Sequence, residues 1–123
     1  MFRADIDTLE LTGRSGKKYT FKMCVYDTME AIDSAVESFP HSGLYILAYR
    51  YSKPNDPRFW YSIKYIGETG DYSKRDYSHH HKKEMIIAEG ANSWGYCVMT
   101  QNEQQRTAIE TDLVTMYNPP CNG

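Results

Sequence analysis

The residues with the clearest chemical potential lie between Tyr45 and Glu110. Tyr45 and Tyr65 can exchange protons, although a phenol with its usual pKa of about 10 is a poor base unless a cation lies nearby. Arg75 carries a planar, permanent charge that suits phosphate oxygens. Glu110 is a carboxylate of the kind that holds a hard divalent cation such as magnesium. Together these groups can activate water and stabilise the pentacovalent phosphorus of phosphodiester hydrolysis.

Each residue also has a simpler interpretation when it is taken alone. The two tyrosines are typical of half-buried strand positions. Arg75 and Glu110 are typical of solvated helix surfaces. Histidines 79–81 suggest a metal site, but adjacent side chains of a helix point in different directions, which argues against one ligand set. Only the combination of these residues favours a site.

Two strands are expected to bring the tyrosines together. Residues 43–50 and 59–66 are rich in apolar and aromatic side chains, and the segment 51–59 between them contains Pro, Asn and Asp. This pattern predicts two strands joined by a loop, and therefore an antiparallel pair. Gly67 and Gly70 are expected to end the second strand.

Two helices are expected to supply the charged groups. A helix over 72–81 would place Arg75 and His79 on one face, because they are four residues apart. A last helix over 103–117, capped by Thr100 or Asn102 and stopped by the prolines after Asn118, would carry Glu110. The third strand is expected over 94–99.

Residues 1–42 contain no chemical motif. Period-two alternation over 8–26 around the turn residues 13–17 predicts a β-hairpin. Apolar residues at helical spacing before Pro40 predict a helix. We expect this segment to form an extension that packs on the main domain, 43–123, with the hairpin as an added sheet edge and the helix as a cover.

Composition places the chain among ordinary globular domains. It has 123 residues, 41% hydrophobic and 24% charged, with a net charge of −2. Three cysteines without a C-x-x-C pair and the lack of a signal-peptide pattern predict a cytoplasmic protein. No apolar run is long enough to span a bilayer, so no membrane partner is expected.

The distribution of charge is uneven along the chain. Residues 50–83 contain eight Lys or Arg residues and four acidic ones. This segment can present a positive face to a polyanion, with Lys64 and Lys74 as candidate substrate contacts. An ordinary solvated surface explains the same counts.

The order and spacing of these motifs resemble the GIY-YIG nuclease superfamily. The matching positions are Gly43-Leu44-Tyr45, Tyr65-Ile66-Gly67, Arg75, His79, Glu110 and Pro119-x-x-Asn122. They cover residues 43–123. The resemblance implies an α+β fold with a three-stranded antiparallel sheet flanked by helices, to which 1–42 adds a hairpin and a helix. It also implies an endonuclease that uses one Mg²⁺ or Mn²⁺ ion to hydrolyse nucleic acid, DNA more readily than RNA.

The resemblance also implies individual roles. Tyr45 would be the general base, and Tyr65 would position the attacking water. Arg75 and His79 would act at the scissile phosphate. Glu110 would hold the metal ion. Gly67 would let the backbone pass close to the site, and Asn122 would brace it.

The sequence departs from the family pattern in three respects. Leu44 replaces a commoner isoleucine or valine, and the link between the two motifs is lengthened by residues 54–60. This link is either an extra loop over the substrate or a simple insertion. There is no recognisable DNA-reading module. The alternative hypothesis is therefore a non-catalytic module that binds nucleic acid or protein, and the oligomeric state is left undefined.

Overall fold

A computed structural model describes residues 2–3 and 5–123 of the chain. The strands and α-helices of this part follow in the order β1 (Asp7–Thr12), β2 (Lys18–Val25), α1 (Met29–Val36), β3 (Gly43–Ser52), β4 (Phe59–Thr69), α2 (Lys83–Ala88), β5 (Ser93–Val98) and α3 (Glu103–Tyr117). Two 3₁₀ turns, Tyr72–Lys74 and Tyr77–His79, lie between β4 and α2. The fold class is α+β, as expected. No helix of the described residues is long and apolar enough to cross a membrane.

All five strands form one antiparallel sheet in the order β1-β2-β5-β3-β4. The three-stranded sheet that the resemblance implies is therefore wrong in its strand count, whereas the hairpin is added to the sheet as expected. Strands β3, β4 and β5 pair as predicted, but β2 of the N-terminal hairpin pairs with the free edge of β5. This pairing covers an edge that would otherwise expose unpaired backbone groups. The predicted extension 1–42, of which residues 1 and 4 lie outside the described part, thus shares its sheet with 43–123.

A hydrophobic core lies on each face of the sheet. Helix α3 covers one face through Leu113, which packs with Leu44, Ile46 and Ile66. Helix α1, the 3₁₀ turns and α2 cover the other face, where Tyr45 and Tyr65 belong to the core. The tyrosines of the two motifs therefore point to the face opposite α3. Alternation of side chains along a strand explains this separation.

Residues 72–81 do not form the predicted helix, because carboxylates accept the hydrogen bonds of backbone N–H groups in this segment. Asp71 accepts from the Ser73 N–H at 2.9 Å. Asp33 of α1 accepts from the N–H groups of Tyr77 and Ser78 at 2.7 and 3.1 Å. Side chains that bind the backbone in this way favour turns over a continuous helix. Arg75 lies between the turns in an extended conformation, φ −78° and ψ 128°, so Arg75 and His79 do not share a helix face.

Candidate active site

The two motif tyrosines are brought together by the pairing of β3 with β4. Tyr45 lies opposite Gly67, and Tyr65 lies opposite Leu47. The tyrosines are therefore diagonal neighbours on one face, with ring centroids 6.0 Å apart. Tyr45 is fully buried, whereas Tyr65 is 9% exposed. Burial raises the pKa of both phenols, and that of Tyr45 most strongly.

Gly67 does not end β4, which is a correction to the sequence-based expectation. The strand continues to Thr69, and Gly67 lies in its interior. A Cβ atom at this position would lie inside van der Waals distance of the Tyr45 ring. Gly67 is thus the position at which the backbone makes room for the first tyrosine.

We expect Gly67→Ala to lower the free energy of unfolding by about 1–3 kcal/mol, the usual effect of overpacking a core. The Tyr45 ring is itself fully buried, so it cannot move aside without displacing its neighbours. Chemical denaturation of the wild type and the variant measures the difference. Gly123→Ala is the control, because nothing lies within 4 Å of a Cβ there. Equal stability of all three proteins would contradict the tight contact.

His80 is the histidine that joins the tyrosine cluster. Its Nε2 lies 2.9 Å from the Tyr45 hydroxyl, and its ring packs edge-on against Tyr65 at 4.6 Å. His79, the predicted site residue, instead lies on the surface with its Nδ1 2.7 Å from Asp76 Oδ2. Sequence patterns offer no means of choosing between neighbouring histidines, because the choice depends on the 3₁₀ turn that precedes His80.

The hydrogen bonds of His80 determine its tautomer. The Lys82 N–H donates to Nδ1 at 3.0 Å, so Nδ1 carries no proton. Burial lowers the pKa of His80 to about 4, so the neutral ring carries its proton on Nε2. Nε2–H therefore donates to Tyr45, which leaves the Tyr45 hydroxyl free to donate to Tyr65. The interaction between the two hydroxyls accordingly raises the pKa of Tyr45 and lowers that of Tyr65.

We expect His80 to make stability depend on pH. Between pH 6.5 and about 4 the unfolded chain binds a proton at this imidazole and the folded chain does not. The stabilisation is therefore complete above pH 6.5 and is lost as the pH falls towards 4. Denaturant titrations across this range should show a weaker pH dependence for His80→Gln than for the wild type. Equal slopes for the wild type and His80→Gln would contradict the assignment.

Arg75 provides the positive charge of the cluster. Its guanidinium carbon lies 5.1 Å from the centre of the Tyr45 ring. Its charge partly offsets the rise that burial causes in the pKa of Tyr45, Tyr65 and Glu110, and it adds to the lowering that burial causes in the pKa of His80. Within the described part of the chain, no carboxylate forms an ion pair with Arg75. A half-buried guanidinium without a carboxylate partner is suited to receiving an anion.

Glu110 reaches the same region from α3 around the outer edge of β4. Its pKa is raised, first by burial and then by the charge of Glu68, and its own charge raises the pKa of Tyr65. Glu68 is itself paired with Arg106 at 2.9 Å. The described residues contain no group of three or more His, Cys, Asp or Glu side chains arranged around a metal position. A single half-buried carboxylate fits Mg²⁺, which keeps several waters and binds phosphate oxygens beside one or two carboxylates.

The remaining predicted residues have different positions. Asn122 clamps the outer edge of β4, where its side chain bonds the N–H and C=O of Ile66 at 2.9 and 2.8 Å. Lys64 is the extra residue of a β-bulge and pairs with Glu89 at 3.3 Å. Lys74 is exposed beside Arg75. Asn122 thus braces the strand that carries Tyr65.

We compared the chain with models of known protein families, with curated proteins and with solved structures. It matches no family model, no curated protein and no solved structure. The functional interpretation therefore depends on the geometry of the cluster and on the motifs quoted above.

Proposed function

We propose that this protein is a metal-dependent endonuclease of the GIY-YIG type, which hydrolyses phosphodiester bonds of nucleic acid, with DNA favoured over RNA. The observation that carries the proposal is the central position of Arg75. Its guanidinium carbon lies 5.1 Å from the centre of the Tyr45 ring, which in turn contacts Tyr65 and His80, and its charge also acts on Glu110 from α3. The spacing of the motifs and the local positive charge of 50–83 support the same function.

In this proposal Arg75 binds the scissile phosphate. Its fork of N–H donors can hold two phosphate oxygens, and it stabilises the charge that develops on them. Burial raises the pKa of Tyr65, and the guanidinium partly offsets that rise, which favours the phenolate that is needed to accept a proton from water. One residue thus supplies both substrate binding and activation of the base.

The geometry favours Tyr65 over Tyr45 as the general base, in contrast to the expectation from the resemblance. Tyr45 is fully enclosed, and its hydroxyl receives a hydrogen bond from His80. This arrangement directs the Tyr45 proton towards Tyr65 and stabilises a negative charge there. His80, rather than His79, then orients the pair as a positioning residue.

Glu110 is the residue that would hold the divalent ion, together with phosphate oxygens and water. When bound, the ion would polarise the phosphate and neutralise the carboxylate charge that raises the pKa of Tyr65. The raised pKa of Glu110 also favours a bound cation, because a cation relieves the cost of a half-buried negative charge.

A cleavage panel tests the proposed function. Plasmid, single-stranded, branched DNA and RNA are each incubated with the wild type in Mg²⁺, in Mn²⁺ and in EDTA. We expect cleavage of at least one DNA form in either metal and none in EDTA. No cleavage of any substrate would contradict the proposal and support the alternative of a non-catalytic binding module.

Arg75→Lys is the informative variant in this panel. Lysine keeps the charge but loses the planar fork, so we expect a rate about 10- to 100-fold lower, as for the loss of one hydrogen bond to a charged group. Arg14→Lys, on the exposed turn between β1 and β2, is the matched control. An unchanged rate for Arg75→Lys would exclude bidentate phosphate binding by Arg75.

A further inference from the structure

The hairpin of β3 and β4 extends beyond the rest of the sheet. Strand β5 pairs with β3 only as far as Ala48, whereas β3 and β4 remain paired to Ser52 and Phe59. The lengthened link between the two motifs therefore allows β3 and β4 to continue as a two-stranded ribbon. The catalytic cluster does not use this ribbon, so its surface needs a separate explanation.

One face of the ribbon carries a pair of stacked tyrosines. The rings of Tyr49 and Tyr51 are 5.6 Å apart and 16° from parallel, and Tyr49 is 43% exposed. Both residues follow Tyr45 at even spacing along β3, so they continue the face that carries the cluster. Exposed aromatic rings on a strand are suited to stacking on nucleic-acid bases, since every base has a π-face.

Two cations lie beside the stacked rings. Lys53 Nζ and the Arg58 guanidinium lie 3.6 and 4.8 Å from the centre of the Trp60 ring, directly across the ribbon from Tyr51. Asp56 is the one carboxylate bonded to Arg58, and the Arg58 side chain remains 71% exposed. The cation–π contacts hold the two charges next to the tyrosines. Aromatic rings with adjacent cations match the bases and phosphates of an unpaired strand.

The ribbon surface consists of Tyr49, Tyr51, Lys53 and Arg58. We propose that the ribbon surface binds a single-stranded nucleic acid, with bases stacked on the two tyrosines and phosphates paired with the two cations. An unpaired strand is favoured over a duplex because its bases expose their faces to the rings. The positive charge of the surface complements the phosphates.

The location of the ribbon surface gives it a role in substrate binding. Tyr49 lies four residues from Tyr45 along β3, a distance of about 13 Å in an extended strand. A nucleic-acid strand held on the ribbon would thus continue towards the cluster on the same face. This part of the inference rests on the proposed function, whereas binding at the ribbon does not require cleavage.

Fluorescence anisotropy with a short labelled oligothymidylate, in EDTA, tests the binding. We expect the wild type to bind this probe more tightly than a duplex of equal length. Tyr49→Leu keeps the apolar bulk but removes the ring, and should weaken binding about 5- to 100-fold, the range for one stacked base. Lys53→Ala with Arg58→Ala should make the slope of log Kd against log salt shallower by about 0.7 for each phosphate that the variant no longer neutralises.

Lys17→Ala with Lys18→Ala, at the start of β2, is the control for charge and should leave the salt dependence unchanged. Three results would each overturn the inference: no binding by the wild type, a preference for duplex, or unchanged Kd values in both ribbon variants. If Tyr49→Leu unfolds, the double cation variant decides alone, because both of its side chains are exposed. Loss of cleavage with binding intact would overturn only the proposed function.

Discussion

Replacing Tyr65 by phenylalanine is expected to lower the rate of cleavage by about 10²- to 10⁴-fold, the usual contribution of a general base. Tyr65 is the end of the hydrogen-bond chain that begins at His80. Its hydroxyl is also the one whose pKa responds to Glu110. The variant also removes the acceptor of the buried Tyr45 hydroxyl, so stability should fall by about 1–3 kcal/mol.

Tyr45→Phe should have the smaller effect on cleavage. It leaves the His80 Nε2–H without its acceptor in a buried position, which should cost about 1–3 kcal/mol of stability. Cleavage should fall less than in Tyr65→Phe, because Tyr45 acts through Tyr65. Single-turnover rates and denaturant unfolding of both variants measure the two effects, and Tyr19→Phe on β2 is the matched control. Near-complete loss of activity in Tyr45→Phe, with Tyr65→Phe active, would assign the base to Tyr45 instead.

Glu110→Gln is expected to produce the second large effect. A metal ion contributes several kcal/mol of charge stabilisation, so losing its carboxylate should reduce cleavage by about 10²- to 10⁴-fold. Binding of Mn²⁺, measured by calorimetry, should weaken in parallel. Glu103→Gln, an exposed glutamate in the first turn of α3, is the control and should behave as the wild type.

The stability of Glu110→Gln distinguishes a functional residue from a structural one. Because the pKa of Glu110 is raised in the folded state, its contribution to stability decreases as the pH rises through that pKa. At neutral pH the variant should therefore be at least as stable as the wild type, since glutamine removes the repulsion from Glu68. A variant that is clearly destabilised, yet retains metal binding and cleavage, would show that Glu110 has a structural role only.

Local patterns predict most of the elements that hold the cluster. Runs rich in apolar and aromatic residues identify β3, β4 and β5, and Pro54, Pro57 and Gly90 lie in the links between them. The last helix is confirmed over Glu103–Tyr117 with Asn102 as its cap. These features depend on neighbouring residues, so they can be predicted without knowledge of the tertiary structure.

The features that the sequence does not reveal depend on distant residues. Asp33 binds the backbone of Tyr77 across 44 positions, which prevents the predicted helix over 72–81. As a result, the cluster receives His80 and not His79. The choice of β5 as the partner of β2 is also set by residues remote in sequence, and local patterns do not predict it. Neither the Asp33 hydrogen bond nor the β2–β5 pairing produces a periodic pattern in the sequence, because the two partners lie on different elements.

The most direct test of the central claim is the identity of the products that the purified wild type makes from DNA in Mg²⁺. We expect fragments with 5′ phosphate and 3′ hydroxyl ends, formed by the wild type and lost with Glu110→Gln. End labelling of the fragments measures both the ends and the rate. Intact DNA with the wild type, or equal cleavage by Glu110→Gln, would contradict the proposed function.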